Sequence, residues 1–490
     1  MELKSRYYLD PYGCVKNQVD AETMMAVLDA SGLIRAEDAD SADLIIINSC
    51  GFIDPAKQES INAVLAYRRI YPDKKILLAG CLAQRYAGEL AESLAEADGF
   101  FGNRDLSGAA LAARAVLEGQ RLIEPLSAPR EPAPSAELLQ NSNTVANAPR
   151  RAPLSGDRPL LSLPGSAYVK ISEGCNNRCA FCAIPGIRGP LRSRAIPGVA
   201  GECQRLLERG IRELCLIGQD LGSYGRDLGD GTGLPALLEA LSALEGRFWV
   251  RLLYIHPDNF PFPILDLCRR DSRFLPYFDI PFQHGSTRIL RAMSRRGSAG
   301  TYLDLIAHIR ETLPGAVIRS TFLTGFPGET EEDFRELLDF QEKADLDWAG
   351  AFSFSREEGT AAYVMKGRVG KKLAAERKRL VEEKQRSISE KRMERFKGGT
   401  TEVLVEERID LAVGEDEIGA SGGSGAPGGS GAPGGSGEFL YLGRLPSQAP
   451  EVDGSAVIFT GSELELGALL EGRVFGRSGL DLEVRVDVSL

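Results

Sequence analysis

Histidine is scarce in this chain of 490 residues, which has only His256, His284 and His308. A mixed Cys/His zinc site therefore has little to draw on. Long apolar runs are missing too. The longest, such as LIII at 44–47, are strand-sized, well short of the ~18 residues that cross a bilayer, so no membrane span is expected. The N-terminal MELKSRYYLD has no apolar stretch of the signal-peptide kind, and no export is expected. An excess of positive charge is also absent. The net charge is −11, and the region from Thr401 onward, with 16 acidic and 5 basic residues, carries all of it. That end has the wrong sign for gripping a phosphate backbone.

With 43% hydrophobic and 26% charged residues the composition is that of a globular protein. The length exceeds what one core fills, so two to four domains are expected. Nine cysteines, an odd number, in a chain expected to stay in the cytoplasm point to metal or redox chemistry rather than disulfides.

Residues 1–126 alternate strand-like pieces (YYLD, LIIIN, KILLAG) with helix-like ones at about 19–30, 60–68 and beyond Tyr86, which predicts a doubly wound α/β domain. Residues 127–158, rich in Pro, Ala, Ser and Asn without period, read as a linker. From 159 to 397 six further strand-like pieces (AYVKIS, ELCLIG, WVRLLYIH, YFDIPF, VIRSTFLTG, WAGAFSFS) alternate with helices. They predict an open, partial (β/α)6 barrel with its chemistry in the loops after the strands. The charged run KKLAAERKRLVEEKQRSISEKRMERF reads as a single helix, a solvated connector. Residues 398–490 are β-rich and fit a small five-stranded barrel, interrupted at 420–437 by a Gly/Ser/Ala/Pro repeat expected to be a disordered surface loop.

Cys175, Cys179 and Cys182 form a C-x-x-x-C-x-x-C set in ISEGCNNRCAFCAIPGIRG. Three thiolates at this spacing can ligate three irons of one [4Fe-4S] cube and leave the fourth iron open. Zinc would want a fourth ligand, and no histidine is near in sequence. Accidental thiols are the bland alternative. Cys14, Cys50 and Cys81 are far apart yet share one context, each standing where a predicted strand ends and a helix begins, with Gly13, Gly51 or Gly80 beside it. Those turns gather at the carboxyl edge of a doubly wound sheet, where ligands bind, and glycine lets backbone turn tightly around an inorganic group. The alternative is three buried small hydrophobes. Cys203, Cys215 and Cys268 lie in apolar patterns and are expected in the core.

The cluster loop resembles that of the radical S-adenosylmethionine (SAM) superfamily. YGCVKNQVDAE, NSCGFI, GCLAQRY, GCNNRCAFC, DIPFQHGSTRIL and STFLTGFPGETEEDF together resemble the methylthiotransferase family along nearly the whole chain. CAFCAIPGIRGPLRSR, LPYFDIPFQHGS and LGRLPSQAPEVDG are most similar to its ribosomal-protein-modifying branch, whereas Ile255-His256-Pro257 is similar to the tRNA-modifying one. The resemblance implies an N-terminal cluster domain, a radical SAM domain and a C-terminal TRAM barrel. It implies two [4Fe-4S] clusters, each held by one of the two cysteine triads, and two SAM molecules per turnover. One SAM donates a methyl to sulfur held on the N-terminal cluster; the other is cleaved to a radical that removes hydrogen from the carbon to be modified. The implied substrate is an aspartate of a basic small-subunit ribosomal protein of the decoding centre, converted to 3-methylthioaspartate. The alternatives are a tRNA adenosine 2-methylthiotransferase and a non-catalytic iron–sulfur scaffold. An external donor such as a flavodoxin or ferredoxin is the implied reductant.

Phe181, between two of the ligands, is placed to pack near the SAM adenine or to support its loop. Gln219 and Gln283, at strand ends, are candidate SAM or substrate contacts, and Gly325 in the TGFPGE turn is a candidate cofactor contact. Arg188, Arg192 and Arg194 are candidates for steadying a carboxylate, with a solvated basic loop as the alternative. Acidic positions such as Glu451 and Asp453 are expected on a docking face for the basic substrate.

Overall fold

Ile45, Ile47, Ile76 and Leu78 pack against one face of the N-terminal sheet, and Leu44, Ile46, Leu77 and Ala79 against the other. Successive side chains of a strand point to opposite faces, so an unbroken apolar run builds a sheet covered on both sides. In the computed structural model, which describes residues 5–124, 158–409 and 439–487, this sheet has six parallel strands. Their order is Ile34–Arg35, Arg6–Pro11, Leu44–Ser49, Lys75–Gly80, Gly99–Phe101 and Leu122–Glu124. Helices Val15–Ala30, Asp54–Ile70, Cys81–Ser93 and Ala109–Leu117 connect them. The first two helices begin earlier than the sequence pattern suggests, because their first turns carry Lys16 and Asn17 or a Pro rather than the apolar residues on which a periodicity reading depends.

All six strands expected in the second unit form: Ser166–Lys170, Glu213–Ile217, Trp249–Leu252, Phe274–Asp279, Val317–Thr324 and Trp348–Ser353, parallel and in sequential order. Alternation again divides their side chains. Ala167, Val169, Leu214, Leu216, Val250 and Leu252 pack under the surrounding helices with Cys203 and Cys268. Tyr168, Cys215, Ile217, Trp249, Tyr277 and Trp348 join Val403, Val405, Tyr441, Ile458 and Val484 of the C-terminal unit in a single core. All three cysteines expected in the core are there.

The C-terminal strands Thr400–Ile409, Phe439–Arg444, Ala456–Thr460, Asp481–Arg485 and Leu469–Ser478 close into a barrel. Its 445–454 segment is tied to the inner surface of the parallel sheet: Trp348 Nε1 donates to Ser447 O at 2.8 Å, Arg251 Nη1 to Pro446 O at 2.9 Å and Tyr277 Oη to Asp453 Oδ2 at 2.6 Å. Asp453 is therefore a buried structural carboxylate, also 3.3 Å from Arg319, and belongs to no docking face. Glu451 alone of that pair is exposed.

The charged helix Lys371–Met393 is more than a solvated connector. Ala374, Arg377, Val381, Gln385, Ser389 and Met393 form one buried stripe, and Arg377 pairs with Glu329 at 2.7 Å. The stripe is partly polar, so hydropathy alone conceals it. The expected linker up to residue 157 and the repeat at 420–437 lie outside the described residues. Arg158 does not belong to a loose linker: it is buried and paired with Glu22 and Glu202 at 2.8 and 2.6 Å. Among the described residues no helix is long and apolar enough to cross a membrane.

Candidate metal centres

Cys14, Cys50 and Cys81 end three neighbouring strands, 6–11, 44–49 and 75–80. The parallel register carries all three chain reversals to one edge, which is why residues so distant in sequence meet. Gly13 and Gly80 have φ of +93° and +94°. A Cβ on Gly13 would lie 2.8 Å from Cys50 Cβ, and one on Gly80 2.6 Å from Asn48 Oδ1, so both conformation and space demand glycine. Asn17 pins the corner, its Nδ2 donating to Tyr12 O at 2.6 Å and Asn48 O at 3.1 Å.

The three thiols differ in setting. Cys81 is buried, which pushes its thiol up to about 12 against the pull of Arg188. Its Sγ accepts hydrogen bonds from Asn103 Nδ2 and Arg188 Nη2, both at 3.2 Å. Burial also raises Cys50. At Cys14 burial acts upward too, but Lys16 and Arg188 outweigh it and the thiol falls below its ordinary value. Cys14 is exposed, Cys50 half-buried and Cys81 buried.

Cys175, Cys179 and Cys182 lie in the loop after the first strand of the second sheet. Gly174, at φ +75°, lies so close to Pro190 that any Cβ would collide with its carbonyl. Asp220 organises the loop from below. Its carboxylate accepts from Asn177 Nδ2 (2.8 Å), Asn259 Nδ2 (2.7 Å), Ser223 Oγ (2.6 Å), Gly222 N (3.0 Å) and His256 N (3.1 Å). Burial pushes Cys175 up to about 11 and Cys182 up to about 12. His256 Nε2 is 3.8 Å from Cys179 Sγ, and burial with Arg295 nearby lowers the imidazole to about 4, so it is neutral at pH 7.

Among the described residues no three His, Cys, Asp or Glu side chains close on a single ion. Each thiolate of a cube holds a separate iron, so the chemistry of an all-thiol triad is compatible with three ligands of one cluster.

A buried charge network joins the triads. Lys170 pairs with Asp20 and, at 2.9 Å, with Glu173; Arg188 pairs with the same two carboxylates at 2.9 Å each. Beside it Lys16 Nζ sits 2.8 Å from the centre of the Tyr254 ring, and burial lowers its pKa to about 8. Tyr254 and Gln283, at strand ends, hold φ of +70° and +72°, a costly conformation for residues with a Cβ and one that gathers at functional sites.

Residues 6–102, with the first triad, match the family model described as Uncharacterized protein family UPF0004, and residues 169–340, with the second, match the Radical SAM superfamily. The ribosomal protein uS12 methylthiotransferase RimO of Treponema denticola is 43% identical over 97% of this chain and 99% of its own length. The chain belongs to the RimO family. Its counterpart in Syntrophomonas wolfei is 36% identical over 96% of this chain and 97% of that one. Among solved structures, the radical SAM methyltransferase TsrM of Kitasatospora setae, with cobalamin and a [4Fe-4S] cluster bound, shares the fold, with a TM-score of 0.52 at 15% identity over 74% of each chain.

In this RimO-family chain the remaining residues named from sequence take varied places. Gln219 Nε2 donates to Glu173 Oε1 at 3.0 Å, inside the charge network. Among the described residues the Gln283 side chain makes no hydrogen bond, while its main chain bridges to the 317–324 strand. Phe181 packs with Ala180, Met293 and Phe326 beneath the cluster loop. A Cβ on Gly325 would collide with Ala374, so helix packing already accounts for that glycine. Of the three arginines, Arg188 faces Cys81, Arg194 pairs with Glu202 at 2.6 Å and Arg192 is exposed. Sequence reasoning missed Lys16, Asp220, His256 and Asn259 as site residues. For Asp220 the signal was available in the polar Gly-Gln-Asp that ends the second strand; for Lys16 it was only the place two residues beyond Cys14.

Proposed function

We propose that this chain is a radical SAM methylthiotransferase that modifies an aspartate of ribosomal protein uS12, with Cys14, Cys50 and Cys81 holding one [4Fe-4S] cluster and Cys175, Cys179 and Cys182 the other. The observation that carries this reading is the pair of three-cysteine corners, joined through one buried network of Asp20, Lys170, Glu173 and Arg188. Residues 1–126, 159–397 and 398–490 are taken as the three functional units. When bound, the clusters and SAM supply the radical chemistry and the sulfur and methyl that are transferred.

The chain's own residues provide the setting. Asp220 fixes the second cysteine loop through two side-chain amides and two backbone amides. Arg188 and Asn103 donate to the sulfur of Cys81 and favour its thiolate. Lys170 and Arg188 neutralise Asp20 and Glu173 between the corners, which lets the network stay buried and keeps bulk water out. The partners are the basic ribosomal protein and an external one-electron donor of the flavodoxin or ferredoxin kind, and a ribosomal substrate puts the reaction in the cytoplasm.

Mass spectrometry of ribosomal proteins and tRNA from cells with and without this gene tests the reading. The expected result is one methylthio group on uS12, lost with the gene; the same group on tRNA, with uS12 unmodified in both, would replace the substrate by an adenosine.

A further inference from the structure

Glu357 is a buried carboxylate on the segment that follows the last strand of the second sheet, yet both of its cations come from the N-terminal unit. Arg85 Nη1 lies 2.7 Å and Lys57 Nζ 2.9 Å from its Oε2, and Ser355 Oγ donates to its Oε1 at 2.6 Å. Arg85 reaches both ways. It donates to Gly51 O at 3.0 Å, beside Cys50, and to Glu358 O at 2.7 Å. Gly51 is itself pressed against Cys81, whose carbonyl oxygen would stand 2.7 Å from any Cβ there. Further along the segment, Ala362 N donates to Ala180 O at 2.8 Å, between Cys179 and Cys182, and Ala362 packs with Ala180, Met293 and Phe326.

One route therefore runs from the Cys50 corner to the second cysteine loop through Gly51, Arg85, Glu357, Ala362 and Ala180. It is separate from the network of Asp20, Lys170, Glu173 and Arg188, which meets the first triad at Cys81. A joint held at one point can swivel; held at two, it cannot.

We propose that the Arg85–Glu357 pair is a positioning device that fixes the separation and orientation of the two cysteine triads. The inference rests on the two-cluster reading above and adds residues that act on its geometry without touching substrate. Transfer between two centres depends steeply on their spacing, and a misplacement of about 1 Å costs up to about 100-fold in rate. A carboxylate buried against two cations favours a single arrangement, because separating them leaves buried charge uncompensated.

The test compares Glu357→Gln and Arg85→Lys with wild type and with Asp453→Asn, which loosens the barrel seam instead, in the full-length, anaerobically reconstituted protein. Two quantities are read: the magnetic coupling between the two reduced clusters by EPR, and the ratio of 5′-deoxyadenosine formed to uS12 methylthiolated. The coupling should weaken in both variants of the pair. The ratio should rise about 10-fold in Glu357→Gln and less in Arg85→Lys, with iron content and SAM cleavage near those of wild type. Asp453→Asn should move neither. Arg85→Lys keeps the charge balance and gives up the hydrogen bonds to Gly51 and Glu358, so it carries the test if Glu357→Gln is too unstable to isolate. Unchanged coupling in the pair's variants overturns the proposal. So does the same change in Asp453→Asn, which would make lost stability the cause, or loss of iron, which would make the pair a support of one cluster. If wild type leaves uS12 unmodified, the substrate reading falls by itself and the coupling still decides the pair; if wild type binds iron for one cluster alone, the two-cluster reading falls and takes the inference with it.

Discussion

Arg188 donates a hydrogen bond to the sulfur of Cys81 at 3.2 Å, across 107 residues of sequence and from one cysteine-bearing unit to the other. The same guanidinium holds Asp20 and Glu173, so one side chain touches a proposed cluster ligand and the network that fastens the two units.

Arg188→Gln should therefore make the reduction potential of the N-terminal cluster more negative. Donors to a cluster's sulfurs stabilise the extra electron of the reduced state, and the lost positive charge acts in the same direction. An EPR-monitored redox titration separates the two clusters, and an unmoved potential at the cluster of Cys14, Cys50 and Cys81 would remove Arg188 from that role. Two buried carboxylates also lose a partner, so the thermal midpoint should fall, by an amount corresponding to about 3 kcal/mol.

Asp453 and Glu451 lie two residues apart and should respond oppositely. Asp453→Asn weakens the ties to Arg319 and Tyr277 that seat the barrel and should lower the thermal midpoint. Glu451→Lys changes an exposed charge, so it should leave the midpoint nearly unmoved while weakening association with basic uS12 at low salt. Calorimetry and binding measured at two salt concentrations check the pair.

Glu213 fastens the same seam in a pH-dependent way. Burial alone would raise its carboxyl, but Arg444 and Arg251 outweigh burial and hold it at about 2, against an ordinary 4.5. A depressed carboxylate stabilises the fold fully above its unfolded value, and the contribution, on the order of 3 kcal/mol, is lost as pH falls from about 4.5 through about 2. Glu213→Gln should lower stability at pH 7 and flatten the acid dependence in that window. Acid titrations of wild type and variant with the same slope there would argue against it.

Much of this architecture was legible because its signals are local. VIRSTFLTG and its five companions are β-rich runs bounded by turns, and the Gly-Cys corners announce themselves at strand ends. The network between the corners was not legible. Asp20 and Lys170 are 150 residues apart, each with the polar character of an ordinary surface position, and only the docking of the Val15–Ala30 helix against the second sheet buries them together. Asp453 misled for the same reason: an acidic residue in a Pro/Gly-rich turn reads as solvated until the tyrosine and arginine that receive it are seen on another sheet.

The division of labour between the two triads is the central claim, and one variant tests it most directly. Cys14→Ala, Cys50→Ala and Cys81→Ala are combined in the full-length, anaerobically reconstituted protein, and iron, 5′-deoxyadenosine and methylthiolated uS12 are measured together. The account predicts that bound iron falls from about eight to about four atoms per chain, that reductive cleavage of SAM continues, and that methylthio transfer stops. Unchanged iron, or loss of SAM cleavage along with transfer in a protein that remains folded, would contradict it.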